Sequence, residues 1–199
     1  MALFRSVVWS EPLPILEGEG VFLRMPQMAD YTEWARLRAE SRAFLAPWEP
    51  TWPADDLTRG AFRRRMRRHA RELREDLGYP FLVFRGADRV LVGGVTLSNV
   101  RRGVAQAANL GYWIGATHMR KGYMTAAVAA LVAFAHSQLR LRRIEAACLP
   151  NNAASVRLLE KLNFVREGYA REYLCIAGTW QDHLMYAHLA DDPLLSPRQ

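Results

Sequence analysis

The spacing of apolar residues switches between two and about 3.6 along this chain, and each change of period marks an element. Val21 to Met25 predicts a short strand. A helix is expected from about Ala29, where Asp30 and Glu33 have capping-box spacing and Tyr31, Trp34, Ala35, Leu37 and Arg38 follow at helical intervals. Pro47, Pro50 and Pro53, interleaved with Trp48 and Trp52, cannot continue it and predict a rigid aromatic loop. A second helix is expected over Asp55 to Leu77, with Phe62, Met66, Leu73 and Leu77 on one stripe.

Three strands follow, Pro80 to Arg85, Val90 to Ser98 and Ala105 to Ile114, joined by short turns, which predicts an antiparallel meander. The period then becomes helical over Thr125 to Ser137 and returns to a strand at Arg143 to Cys148. A strand, a helix and another strand make a crossover unit, which places the two strands parallel. A helix over Asn152 to Leu162 and two strands, Phe164 to Ile176 and Thr179 to Leu189, close the pattern. The expected architecture is α/β, an α+β layered domain with one mixed sheet of about seven strands and four main helices.

Length and composition narrow this to one domain, residues 1–199 with a core over about 18–190: 199 residues, 50% apolar and 24% charged, are ordinary for a folded chain. The longest apolar run, Ala126 to Ala135, is half of what a membrane span needs. Met1 to Pro14 lacks the apolar stretch of a signal peptide, and two cysteines, Cys148 and Cys175, are too few for a disulfide framework. A cytoplasmic place is expected. The five histidines, His69, His118, His136, His183 and His188, show no metal-ligand spacing.

The net charge of +7 comes from 27 basic residues, all arginine except Lys121 and Lys161. Eight of them, Arg59, Arg63, Arg64, Arg65, Arg67, Arg68, Arg71 and Arg74, crowd the second helix. Such a helix is either a solvated face or a contact for RNA or a ribosomal surface.

Two short segments suggest chemistry. Met119, Arg120, Lys121, Gly122, Tyr123, Met124 and Thr125 lie between a strand and a helix start, where free backbone N–H groups and the positive end of the helix dipole suit a phosphate. An ordinary connecting turn would read the same way. Walker and Gly-x-Gly-x-x-Gly spacings are absent. Next, Asn152 and Ser155 open the helix after the crossover strand, where either could serve simply as a cap.

Taken in order, Gly111 to Ile114, Arg120 to Thr125, Arg143 to Ala146, Asn152 to Ser155, Leu162 to Phe164 and Glu167-Gly168 resemble the GNAT acetyltransferases, in particular the RimJ/RimL-type ribosomal-protein N-terminal acetyltransferases. The resemblance spans about residues 18 to 190. It implies that the fourth and fifth expected strands splay apart to admit acetyl-CoA, whose acetyl group passes to a primary amine. The coenzyme would lie along Tyr112, Trp113, Ile114, the 119–125 turn, Asn152 and Ser155. Of the family's phosphate-loop pattern only Gly122 matches strictly, Met119 and Met124 standing at its ends. Related chains often carry a glutamate just before the Gly-Tyr-Trp segment, and this chain has Asn109 and Leu110 there.

Amine attack on a thioester needs a neutral amine, support for the oxyanion and a proton for the departing thiolate. The resemblance places Ser155 near the thiol as donor. Glu145 is the available carboxylate for a base or water-orienting role, with Glu49 behind it, and an ion pair is the alternative for Glu145. Backbone amides of Tyr112 to Ile114 would meet the oxyanion. The loop holding Trp48, Glu49 and Trp52 follows the first helix, where the resemblance implies an acceptor site, so it is expected to wall the substrate pocket, with plain surface packing as the alternative. Expected acceptors are a protein N-terminus, plausibly ribosomal, or a small-molecule amine; an RNA-binding protein with a vestigial fold is a third reading. Monomer and homodimer both remain open.

Overall fold

The computed structural model describes residues 14–194, in which eight strands form one mixed sheet in the order β1-β2-β3-β4-β5-β6-β8-β7. The strands are β1 Leu16–Gly18, β2 Val21–Arg24, β3 Tyr79–Arg85, β4 Leu91–Arg101, β5 Ala107–Ile114, β6 Arg143–Cys148, β7 Val165–Ile176 and β8 Thr179–Leu189. The helices are α1 Tyr31–Glu40, α2 Arg42–Leu45, α3 Arg59–Arg74, α4 Tyr123–Ser137 and α5 Ala153–Lys161. Every neighbouring strand pair is antiparallel except β5 with β6. That parallel pair is the crossover expected from the strand-helix-strand order. The N-terminal segment read for a signal peptide lies outside the described residues, save Pro14.

The sheet is covered on both faces. Val92, Val95, Leu97, Ala108 and Leu110 pack with Ala127, Val128, Leu131 and Ala135 of α4, whose alanines allow close approach to the strands. On the other face Leu82, Phe84 and Leu91 pack with Trp34 and Leu37 of α1 and Phe62 of α3. The Phe62 ring, 1% exposed, sits 4.9 Å from Trp34 and 5.7 Å from Tyr31. Apolar positions at helical intervals thus hold α3 against the sheet while its arginines, apart from the half-buried Arg65, face out.

Several expectations are corrected. The sheet has eight strands rather than seven, because β1, Leu16–Gly18, pairs antiparallel with β2, setting Leu16 opposite Leu23 and Gly18 opposite Val21; three residues are too short for periodicity to reveal. The capping box joins Gln27 and Asp30, not Asp30 and Glu33: Asp30 accepts from the Gln27 amide and from Arg24, while Glu33 accepts from the Leu91 amide at 2.8 Å. In the proline segment the chain turns through α2 and a 3-10 turn, Ala46–Trp48, before the loop begins.

Helix α3 is shorter than expected at both ends. Thr58 caps it by accepting from the Ala61 amide, and Asp76 ends it with a φ of +56°, leaving Leu77 off the helix and exposed. Asp76 is buried and holds Arg102 through both oxygens, at 2.6 and 2.8 Å, and the Tyr79 hydroxyl at 2.5 Å. Among the described residues no group of three or more His, Cys, Asp or Glu could hold a metal ion, both cysteines are free, and no helix is long and apolar enough to cross a membrane.

Candidate active site

The central geometric feature is a wedge between β5 and β6. These strands pair only at Ala107 with Arg143, Ala108 with Ile144 and Asn109 with Glu145. Beyond them, β5 stays paired to β4 as far as Ile114, and β6 stays paired to β8 as far as Cys148. Leu110–Ile114 and Ala146–Cys148 therefore face each other across an opening. The Gly115 amide donates to the Val92 carbonyl at 2.8 Å on the β4 side. Strand alternation then turns the amides of Tyr112 and Ile114 into the opening, as donors without a strand partner.

At the wide end of the wedge lies the 119–125 turn. Gly122 is the N-cap of α4 with a φ of +79°, a conformation glycine adopts without the cost of a side chain, and a Cβ there would meet nothing within 4 Å. The first amides of α4 are thus reachable by a ligand. Met124 turns inward to the core at 7% exposure, toward the α carbon of Gly93, so only its backbone faces the turn. Its place at the end of the phosphate pattern is then compatible with a backbone cradle. Lys121 and Arg85 sit close enough to help burial pull the His118 ring below its ordinary pKa, which shows a positive surround.

On the α4 and α5 face of the wedge, the Tyr112 hydroxyl of β5 and Ser155 Oγ of α5 are 2.8 Å apart. Asn152 positions the serine: its Oδ1 accepts from the Ser155 amide at 3.1 Å, so the residue caps α5 and leaves the hydroxyl free to face Tyr112. Burial raises the Tyr112 pKa, and the Ser155 bond only partly opposes it, so the phenol keeps its proton. Nearby, burial and Glu160 push the Cys148 thiol up to about 11.

The opposite face has different chemistry. Gly111 presents open space, with nothing within 4 Å of a Cβ built there. Glu145 lies on this face beside Asn109, yet its carboxylate is taken by Arg101 and by Arg143, the latter at 2.8 Å. Burial pushes its pKa up, but the two arginines outweigh this and the net shift is downward. The ion-pair alternative left open by the sequence is the arrangement found, and a base role for Glu145 would require breaking it. Arg143 also pairs with Glu167.

Glu49 is equally committed. Arg38 grips it through both oxygens at 2.7 Å, Trp52 Nε1 donates to it at 2.7 Å, and its backbone carbonyl accepts from the Ala177 amide in the β7–β8 turn at 3.0 Å. The Arg38 guanidinium lies 4.1 Å from the Trp52 ring and 5.0 Å from the Trp113 ring. Trp48, half-buried, ends the 3-10 turn just before. The aromatic loop is thereby joined to the wedge strand through Arg38, a residue the sequence marked only as a helical position. Neither the Arg38 link nor the Tyr112–Ser155 contact has a local signal, since each joins residues more than ten positions apart.

A splayed parallel pair, a glycine-capped helix start with open amides and a hydroxyl pair over the opening together fit an acyl-coenzyme A transferase site. The Acetyltransferase (GNAT) domain family model matches residues 21–165, and the chain belongs to the GNAT acetyltransferase family. It is 36% identical to the probable N-acetyltransferase YjcK of Bacillus subtilis over 178 residues, 89% of this chain and 98% of that one. It is 32% identical to the [ribosomal protein uS5]-alanine N-acetyltransferase of Escherichia coli over 177 residues, 89% of this chain and 91% of that one. Among solved structures, RimJ of Mycobacterium smegmatis in complex with CoA-disulfide superimposes with a TM-score of 0.86 at 30% identity, covering 95% of this chain and 92% of that one. The protein is a GNAT N-acetyltransferase, and acetyl-CoA is its cosubstrate.

Proposed function

We propose that the acceptor is the α-amino group of a polypeptide, plausibly a ribosomal protein as in the Escherichia coli relative's name. The observation that carries this reading is that both carboxylates the sequence offers as bases are committed among the described residues: Glu49 is held by Arg38, and Glu145 by Arg101 and Arg143. An α-amino group, with a pKa of about 7.7–8.0, is about one-third neutral at pH 7.5, whereas a lysine amine at about 10.4 is neutral in roughly one molecule in a thousand. A site without a strong base is suited to the former. The net charge of +7 also disfavours polycationic small amines.

Acetyl-CoA supplies an acetyl thioester activated for transfer. The Gly122 turn and the first amides of α4 hold its diphosphate, and the amides of Tyr112 and Ile114 support the negative charge that develops on the carbonyl oxygen. The amine approaches over Gly111, between Trp113 and the wall made by Trp48, Glu49 and Trp52. A C–N bond forms as the C–S bond breaks, the attacking amine loses a proton to solvent, and the Tyr112–Ser155 pair delivers a proton to the sulfur and recovers one from solvent. Ser155 and Tyr112 thus share the donor role, and Glu145 serves to hold Arg101 and Arg143.

The test is thiol release from acetyl-CoA with four acceptors: a peptide with a free alanine N-terminus, the same peptide N-formylated with an internal lysine, a polyamine and an aminoglycoside. Release with the free N-terminus alone is expected. Turnover confined to the non-peptide amines would reject the reading.

A contact with RNA is a second reading, favoured by one feature of α3. Arg63, Arg67, Arg71 and Arg74 are exposed, follow one another at helical intervals and make no ion pair among the described residues, whereas Arg64, Arg65 and Arg68 pair with Asp55, Asp56 and Glu72. The stripe therefore excludes Arg64 and Arg68 from the set that would meet phosphates. Four phosphate contacts on a single strand predict a slope of log affinity against log salt of about −3. Changing the four to Gln is expected to flatten that slope; retention on RNA that ignores both salt and the substitutions would remove this reading.

A further inference from the structure

Beneath α3, on the acceptor face, lies a cavity of about 330 Å³ whose lining includes Phe62, Met66, His69, Thr96, Ser98 and Trp113. Its floor is unusual for a central strand. Along β4 the residues facing α4 include Val95 and Leu97, both buried, while those facing α3 are Gly94, Thr96 and Ser98. Gly94 is buried, Thr96 half-buried and Ser98 exposed, so this floor runs from the core out to solvent and the space is an open groove that a ligand can enter. Gly94 adds to the space: a Cβ there would lie 2.6 Å from Trp113 Nε1, so glycine is what lets the indole lie against the strand. The volume falls at the lower end of the range of ligand pockets, about 300–1,000 Å³.

The cavity also adjoins the reacting position. Thr96 pairs with Gly111 and Ser98 with Asn109, the last residue before the wedge opens. Open space over Gly111 and the polar floor of the cavity are therefore one strand spacing apart, about 4.8 Å. That is within reach of a side chain on a residue whose amine, or whose neighbour's amine, sits over Gly111. The charges around the rim are matched: Arg65 pairs with Asp56 at 2.8 Å and lies over Trp34, and Arg68 pairs with Glu72 at 3.6 Å. Burial, aided by Arg68 and Arg65, lowers the His69 pKa to about 4, so the ring is neutral at physiological pH.

We propose that this cavity is the side-chain pocket for the acceptor polypeptide and takes a bulky uncharged side chain, of the leucine, methionine or phenylalanine kind, from one of the first two residues. The inference rests on the α-amine reading above and goes beyond it by assigning a selective pocket. Aromatic walls favour such a side chain, an alanine methyl would leave the space unfilled, and a charged side chain would meet a rim whose arginines are already paired.

The experiment is initial-rate acetylation of free-N-terminus peptides in which the first or the second residue is Ala, Ser, Leu, Met, Phe, Lys or Glu. At one of the two positions kcat/KM is expected to be at least about 10-fold higher for Leu, Met or Phe than for Ala, the scale of a few methylenes in a fitted pocket. Lys and Glu should fall below Ala there. In Thr96→Leu, and separately in Ser98→Leu should the first fold poorly, the ratio of the Leu peptide to the Ala peptide is expected to collapse toward one. Ratios within about twofold at both positions, or a ratio that survives a filled floor, would overturn the pocket while leaving the α-amine reading intact. Failure of every peptide to be acetylated would overturn both.

Discussion

Ser155→Ala and Tyr112→Phe are each expected to lower kcat by about 10²-fold, with little change in the binding of acetyl-CoA. The two hydroxyls are 2.8 Å apart and act on one proton, so the double variant should be scarcely slower than the worse single one. Steady-state rates with a saturating peptide measure the first point, and calorimetric titration with the coenzyme measures the second. Fully multiplicative losses would mean that the hydroxyls work independently, and unchanged kcat would remove them from proton delivery. The pH profile adds a check. Burial raises the Tyr112 pKa, so the phenol stays protonated well beyond the range in which the acceptor amine, with a pKa of about 7.7–8.0, becomes neutral. The rate should rise through that range and show no alkaline fall below about pH 10.

The second large effect concerns the clamp between the first helix and the aromatic loop. Arg38 is 6% exposed, held between two indoles and bonded to both oxygens of Glu49. Arg38→Met leaves a carboxylate with 20% side-chain exposure facing Trp52 without its cation. Removing one partner of a buried pair costs about 3–5 kcal/mol, which for a chain of this size lowers the melting temperature by roughly 6–20 °C. Arg38→Met with Glu49→Leu should recover part of the loss, because neither charge is then stranded. At a temperature where the single variant is folded, its KM for a peptide should rise while coenzyme binding persists. Thermal melting and coenzyme titration on the same samples separate the two effects; a melting temperature unchanged in the single variant would show that the pair is not what fixes the loop.

The α4 helix, the β6 strand and the Asn152 cap were legible because each rests on neighbours within one or two turns. The glycine turn that opens α4 was legible because Gly122 and a helix start are adjacent in the chain. Glu145 was read as a catalytic candidate from its place on the crossover strand, but the arginines that hold it come from β4 and from two residues away on the same strand. Strand periodicity orients a side chain to a face and says nothing of which charge will meet it there. Arg38 was hidden for the same reason, since its partner is eleven residues away and its indoles lie on separate elements.

By itself the amino-acid order determined most of the succession of strands and helices, the parallel crossover, the glycine turn at the start of α4 and membership of an acetyltransferase family, all of which follow from local periodicity, turn residues and the order of motifs. Only the tertiary structure decided that β5 and β6 part after Asn109, that Tyr112 meets Ser155, that Glu49 and Glu145 are neutralised by arginine, and that Gly94, Thr96 and Ser98 floor a cavity under α3. Those are matters of pairing and of unfilled volume between distant segments. They depend on which side chains the packed core brings to within a few ångströms, a quantity that no stretch of neighbouring residues encodes.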